Sequence, residues 1–238
     1  LALSVSVFLF GCGSKKEEDT AIEEVTLETQ EYDTPANEDI EPEVVEEAII
    51  EDVPPQEGMV RSRLTNEWVS ADVASLRPLA VMIPNDKSAL PQYNISNADI
   101  VYECLVEGEI TRLMAIYGDW TNLERVGNVR SCRDYFVYWA FEWDAIYCHA
   151  GGPFYIDEVI GRSDTQNINA LVAPQGVFYR TSDRSAPQNL YLDGQDIVKE
   201  SSRLGYDLSP RNGYSDNVHF QFATKAKMLS FDEAESLI

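Results

Sequence analysis

Residues 17–58 contain neither lysine nor arginine, and this decides where in the 238-residue chain a fold can form. The first 60 residues hold 17 acidic side chains against two lysines. Residues 61–238 hold 24 acidic side chains against 16 basic ones, so most of the formal charge of −23 belongs to a quarter of the chain. The acidic stretch is rich in Glu, Asp, Thr and Pro and nearly without aromatic residues. It cannot bury enough apolar surface to offset chain entropy, and its like charges extend it. A disordered acidic tether over 13–76 is expected. The remainder is moderately acidic, which speaks against nucleic acid as a partner.

Ahead of the tether, residues 1–10 are apolar or small, too few to span a bilayer but of the length of a signal-peptide core. The run ends Leu9-Phe10-Gly11-Cys12. A small residue before the cysteine and Leu two residues earlier resemble the lipobox of bacterial lipoproteins, in which the thiol is acylated and the chain is cut just before it. Residues 1–12 are therefore expected to be a signal peptide, truncated at its basic end, and Cys12 the lipidation site. That places the protein on the outer face of the cytoplasmic membrane, with the membrane itself as one partner through the anchor.

An α/β (or α+β) layered domain with a mixed sheet is expected over 77–225, followed at 226–238 by the start of a truncated further domain. Leu79-Ala80-Val81-Met82-Ile83 is a continuous apolar run, the pattern of a buried strand. Residues 99–106 alternate with period two, with Ile100, Tyr102, Cys104 and Val106 on one face. The turn Glu107-Gly108-Glu109 makes them a hairpin with a strand over 110–117. Val126–Arg130 reads as a third strand. Ser131 with Asp134 three residues on reads as a capping box for an aromatic-rich helix whose rings belong to the core. Asp144–Ala150 is a strand, and a helix carrying Ile156, Val159 and Ile160 follows Gly151-Gly152-Pro153. A short strand near 176–180 and a helix from about Gly194 to Leu204 complete the pattern. The three remaining cysteines, Cys104, Cys132 and Cys148, cannot all pair within the chain and fit no zinc spacing; Cys104 and Cys148, in apolar strand-like runs, read as buried thiols rather than a disulfide.

Several runs together resemble the YerB-like lipoprotein family, a bacterial domain of unknown function. They are Arg77–Ile83, Ala98-Asp99-Ile100-Val101-Tyr102-Glu103, Val106-Glu107-Gly108, Ile110-Thr111-Arg112, Val129-Arg130-Ser131, Asp144-Ala145-Ile146-Tyr147, His149-Ala150-Gly151-Gly152, and Ala186-Pro187 with Asn189-Leu190-Tyr191. Their order and spacing over 77–222 carry the resemblance. It implies export, anchoring and a second, β-rich domain, and brings no agreed reaction. The sequence departs from the family pattern at Pro84, Glu109 and Gln188, where the family tends to have Asp, Gly and His. The last departure removes a histidine that could have served as a base.

The candidate chemistry gathers at the expected carboxyl ends of the strands, where open α/β sheets collect ligands. Arg112, Arg130 and Arg133, with His149, the Gly151-Gly152 pair and Asn189, suit an anionic group such as phosphate or carboxylate. The plainer alternative is that the arginines pair with Glu103, Glu107, Asp134 and Asp144 to hold the fold. A lipid-anchored binding or scaffolding module of the cell envelope, meeting cell-wall polymer or envelope proteins, is the reading the residues favour. The alternative is a hydrolase or glycopolymer transferase with Glu107 or Glu103 as acid/base and His149 as proton shuttle, on a phosphate-bearing substrate. A loose, fold-level likeness to the LytR-CpsA-Psr transferases points the same way. No nucleophile elbow, phosphate loop or metal-ligand spacing is present, and no cofactor is implied.

Overall fold

The structure, a computed structural model, describes residues 53–211, 213–214, 219–220 and 222. The lipobox with Cys12, the tether up to residue 52 and the expected domain start at 226–238 lie outside the described residues. Ordered chain begins well before residue 77. Strands β1 (Met59–Arg61) and β2 (Trp68–Ser70) pair antiparallel, and a short helix α1 (Ala71–Ala74) follows. The expected tether boundary at 76 is therefore too late. Leu64 is buried in the core and Arg63 Nη1 donates to the carbonyl of Tyr214 at 2.9 Å, so this hairpin is tied down at both ends of the fold.

The main sheet has five strands: β3 (Leu79–Pro84), β4 (Ile100–Leu105), β5 (Thr111–Tyr117), β7 (Ile146–His149) and β8 (Asn167–Asn169), in the order β4-β5-β3-β7-β8. Strand β5 runs antiparallel to β4 and β3, whereas β3, β7 and β8 are parallel, so the sheet is mixed. Every residue of β3 is buried, as a central strand covered on both faces requires. Strand β4 is one of the two edges, and its alternation turns Ile100, Tyr102 and Cys104 inward while Val101 and Leu105 face solvent.

One face of the sheet carries Ala80, Met82, Met114, Ile116 and Tyr147 and packs on helices α2 (Asp134–Glu142) and α3 (Asp157–Ile160) through Phe136, Val137, Ala140, Ile156 and Val159. The other face, with Leu79, Val81, Ile83 and Ala115, meets helix α4 (Gly194–Leu204) and a second antiparallel sheet. That sheet orders β6 (Val126–Gly127), β10 (Leu190–Leu192) and β9 (Phe178–Arg180) as β6-β10-β9. The expected third strand is thus only two residues long. The chain then crosses to the main sheet: Val129 N–H still donates to Leu190 of β10 at 2.7 Å, whereas Arg130 N–H donates to Met82 of β3 at 2.9 Å. Helix α2 starts at Asp134 with Arg133 as N-cap and no side-chain cap, so Ser131 does not cap it. The three cysteines are free thiols, Cys132 and Cys148 buried and Cys104 half-buried.

Candidate functional site

The carboxyl ends of β3, β7 and β8, the end of β4 and the start of β5 all lie along one edge of the main sheet, as the strand directions require. The segment 130–132 passes between the ends of β3 and β7. Arg130 N–H donates to Met82, Ala150 N–H donates to Arg130 at 2.9 Å, and Cys132 N–H donates to Gly151 at 3.0 Å. This seam brings the three arginines into one electrostatic neighbourhood.

Each arginine has a different environment. Arg133 pairs with Glu107 across the hairpin turn: Nε donates to Oε1 at 2.8 Å and to Oε2 at 3.0 Å, and Nη2 also meets Oε2. Glu107 further accepts from Tyr155 Oη at 3.3 Å. The Arg133 guanidinium holds the Glu107 carboxyl down to about 2. Such a carboxylate stays ionised and is a poor proton donor or acceptor near neutral pH. Arg112 is 6% exposed, and its Nη1 donates to the carbonyl of Ser131 at 2.8 Å and to the Ser131 hydroxyl at 3.3 Å. Its Nε is buried with no acceptor, and so is the Nε of Arg130. Among the described residues neither Arg112 nor Arg130 makes an ion pair. Burial first, then the nearby charges of Arg133 and Arg130, push the Arg112 guanidinium below its usual range. The hydroxyl of fully buried Tyr147 also lacks a partner, and Cys132, Arg112 and Arg133 act on it electrostatically.

The other candidates are engaged in contacts of their own. His149 is 1% exposed; Nδ1 lies 2.9 Å from the Gly151 carbonyl oxygen and Nε2 lies 3.0 Å from Asn167 Oδ1. Burial outweighs these two contacts and lowers its pKa. Both ring nitrogens are thus engaged within the fold and the ring is not presented to solvent. The Gly151-Gly152 pair is filled rather than open: a Cβ on Gly152 would overlap Ile156 and Cys132, and one on Gly151 would meet Leu171. These glycines let side chains pack closely. Glu103 accepts from Asn85 at 2.9 Å and from Thr111 at 2.6 Å. It pairs across the strands with Leu113, which places it on the opposite face of the sheet from Arg112. Asn189 donates to Thr181 at 2.8 Å and accepts from Arg180 at 2.7 Å, joining β9 to β10. Asp144 belongs to Arg77 and Arg211, not to the cluster.

Sequence reading missed three participants. Ser131 anchors Arg112, Tyr155 braces Glu107, and Tyr147 supplies the unpartnered hydroxyl. Ser131 and Tyr147 lie inside runs that carry the family resemblance, but a hydroxyl gives no periodic signal. Among the described residues, no group of three or more His, Cys, Asp or Glu is placed to hold a metal ion.

The family described as "Protein of unknown function (DUF3048) N-terminal domain" matches residues 64–207. The chain belongs to this family. The DUF3048 match includes every candidate residue above except Cys12. It also begins inside the β1–β2 hairpin, in agreement with the early start of ordered chain. Among curated proteins, "Putative lipoprotein YerB" of Bacillus subtilis (strain 168) is 34% identical over 156 residues, which is 66% of this chain and 47% of that protein. The crystal structure of YerB from Bacillus subtilis matches with a TM-score of 0.60 and 34% identity, over 63% of this chain and 51% of that one. The chain thus spans about half the length of these relatives.

Proposed function

We propose that this chain is a lipid-anchored, extracytoplasmic binding module whose DUF3048 domain takes an anionic group of a cell-envelope ligand at Arg112 and Arg130. The observation that carries the reading is Arg112 itself, a guanidinium 6% exposed with an unpartnered Nε and, among the described residues, no carboxylate paired to it. Burying an unpaired charge is costly, and a neighbouring guanidinium raises the cost. An oxyanion seated between Arg112 and Arg130 offsets both, through charge-assisted hydrogen bonds worth about 1.5–3 kcal/mol each. Arg133 orients the site while its own charge is met by Glu107.

Two features support the anchor: the Leu9-Phe10-Gly11-Cys12 run and the lipoprotein name of the Bacillus subtilis relative. Cys12 is the proposed acylation site. The test of the anion site is calorimetric titration of the 238-residue chain carrying Cys12→Ser with inorganic phosphate and pyrophosphate. Arg112→Gln and Arg130→Gln should each weaken binding about tenfold or more while the fold persists. Absence of binding by the unsubstituted site, together with no anion-induced rise in melting temperature, overturns the reading.

A further inference from the structure

We infer that the anion bound at Arg112 and Arg130 is a phosphate carried on an apolar chain, with the loops after β7 and β8 holding that chain. The inference rests on the anion-binding reading and names its ligand class. Two loops flank the arginine seam, and both expose large apolar side chains. Phe154 is 86% exposed and Tyr155 half-exposed in the turn that follows Gly151-Gly152-Pro153, while Leu171 is 66% and Val172 81% exposed just after β8. Scattered surface apolar residues are ordinary, but a group of them beside a ligand site calls for a covering partner.

Contacts tie both loops to the seam. Tyr155 Oη reaches Glu107, which holds Arg133. Leu171 packs against Gly151, whose N–H and that of Leu171 share Asn169 Oδ1 at 2.8 and 3.1 Å. The Gly151 carbonyl in turn accepts from Cys132, the residue after the Ser131 that anchors Arg112. Unneutralised cations with exposed apolar side chains beside them complement a ligand that has a phosphate at one end and hydrocarbon at the other. A polyanionic surface suits the domain less well: residues 61–238 carry 24 acidic against 16 basic side chains, so a field of like charges repels it. A single phosphate headgroup avoids that repulsion.

The test titrates the 238-residue Cys12→Ser chain with inorganic phosphate, glycerol 3-phosphate and hexyl phosphate. Hexyl phosphate should bind about tenfold more tightly than glycerol phosphate, the effect of burying roughly two methylenes. Phe154→Ser combined with Leu171→Ser should abolish that preference and leave inorganic phosphate binding unchanged. Arg112→Gln should weaken all three. Vesicles of phosphatidic acid in phosphatidylcholine separate the sources. Arg112-dependent co-sedimentation assigns the ligand to a bilayer lipid, and a hexyl preference without it assigns the ligand to a monomeric carrier. Equal affinity for hexyl and glycerol phosphate, or a preference that survives the double substitution, overturns the inference while the anion site stands. Failure of all three phosphates to bind is a different result and removes the anion site itself.

Discussion

Arg77 and Asp144 lie side by side with no exposed surface on either, Arg77 Nη2 3.3 Å from Asp144 Oδ1. Arg77 Nε also donates to the Asp144 carbonyl at 2.8 Å, and the Asp144 carboxylate accepts from the Arg211 N–H at 2.7 Å. Arg77 lies two residues before β3 and Asp144 two residues before β7, so the pair locks together the starts of two neighbouring parallel strands. Replacing Arg77 by Met leaves a carboxylate buried with less than its full set of partners. The expected loss is on the order of 3–5 kcal/mol of unfolding free energy, read by urea denaturation. A loss under about 1 kcal/mol would show that Arg211 alone neutralises Asp144.

Arg112→Met should behave differently, because no carboxylate depends on it. In phosphate-free buffer its cost should be smaller than that of Arg77→Met by about 2 kcal/mol or more. What it should remove is the rise in melting temperature that phosphate confers on the parent chain. Equal destabilisation by the two substitutions would assign Arg112 to the fold rather than to a ligand.

His149 makes stability depend on pH. Its folded pKa lies below the ordinary 6.5 because burial disfavours the charged ring. Below that pH the unfolded chain takes up a proton that the folded chain refuses, so stability is full above it and falls as the pH drops. Denaturation free energy should therefore decline from about pH 7 to about pH 5, and His149→Gln should flatten that slope. An unchanged slope in the variant would mean that His149 is not its source.

Cys12→Ser tests the anchor without touching the domain. The expected outcome is transfer of the protein from the membrane fraction to the medium, or accumulation of an uncleaved precursor. Membrane attachment and processing identical to the parent chain would disprove acylation at Cys12.

Local pattern carried much of the fold. The continuous apolar run of β3, the alternation of β4, the hairpin turn at Glu107-Gly108-Glu109 and the bounds of α4 were all legible, because each expresses a period or a turn preference set by neighbouring residues. Misreadings arose where a local preference lost to a distant partner. Ser131 has the residue type and spacing of an N-cap, but its carbonyl and hydroxyl are held by Arg112 from another strand. The β1–β2 hairpin, with few apolar residues, looked like the end of the tether until Leu64 found the core.

The sequence by itself determined that a strongly acidic stretch precedes an α/β domain, and that arginines crowd the ends of its strands. Charge composition and hydrophobic period are properties of neighbours in the chain, and they survive without coordinates. Only the tertiary structure decided which carboxylate meets which arginine. Glu107 goes to Arg133 and Asp144 to Arg77 and Arg211, while among the described residues Arg112 and Arg130 stay without an ion pair. It also decided that His149 faces inward, onto Gly151 and Asn167. Those pairings depend on strand order and register, which join residues tens of positions apart, and a side chain of either charge looks the same in the sequence whether its partner arrives or not.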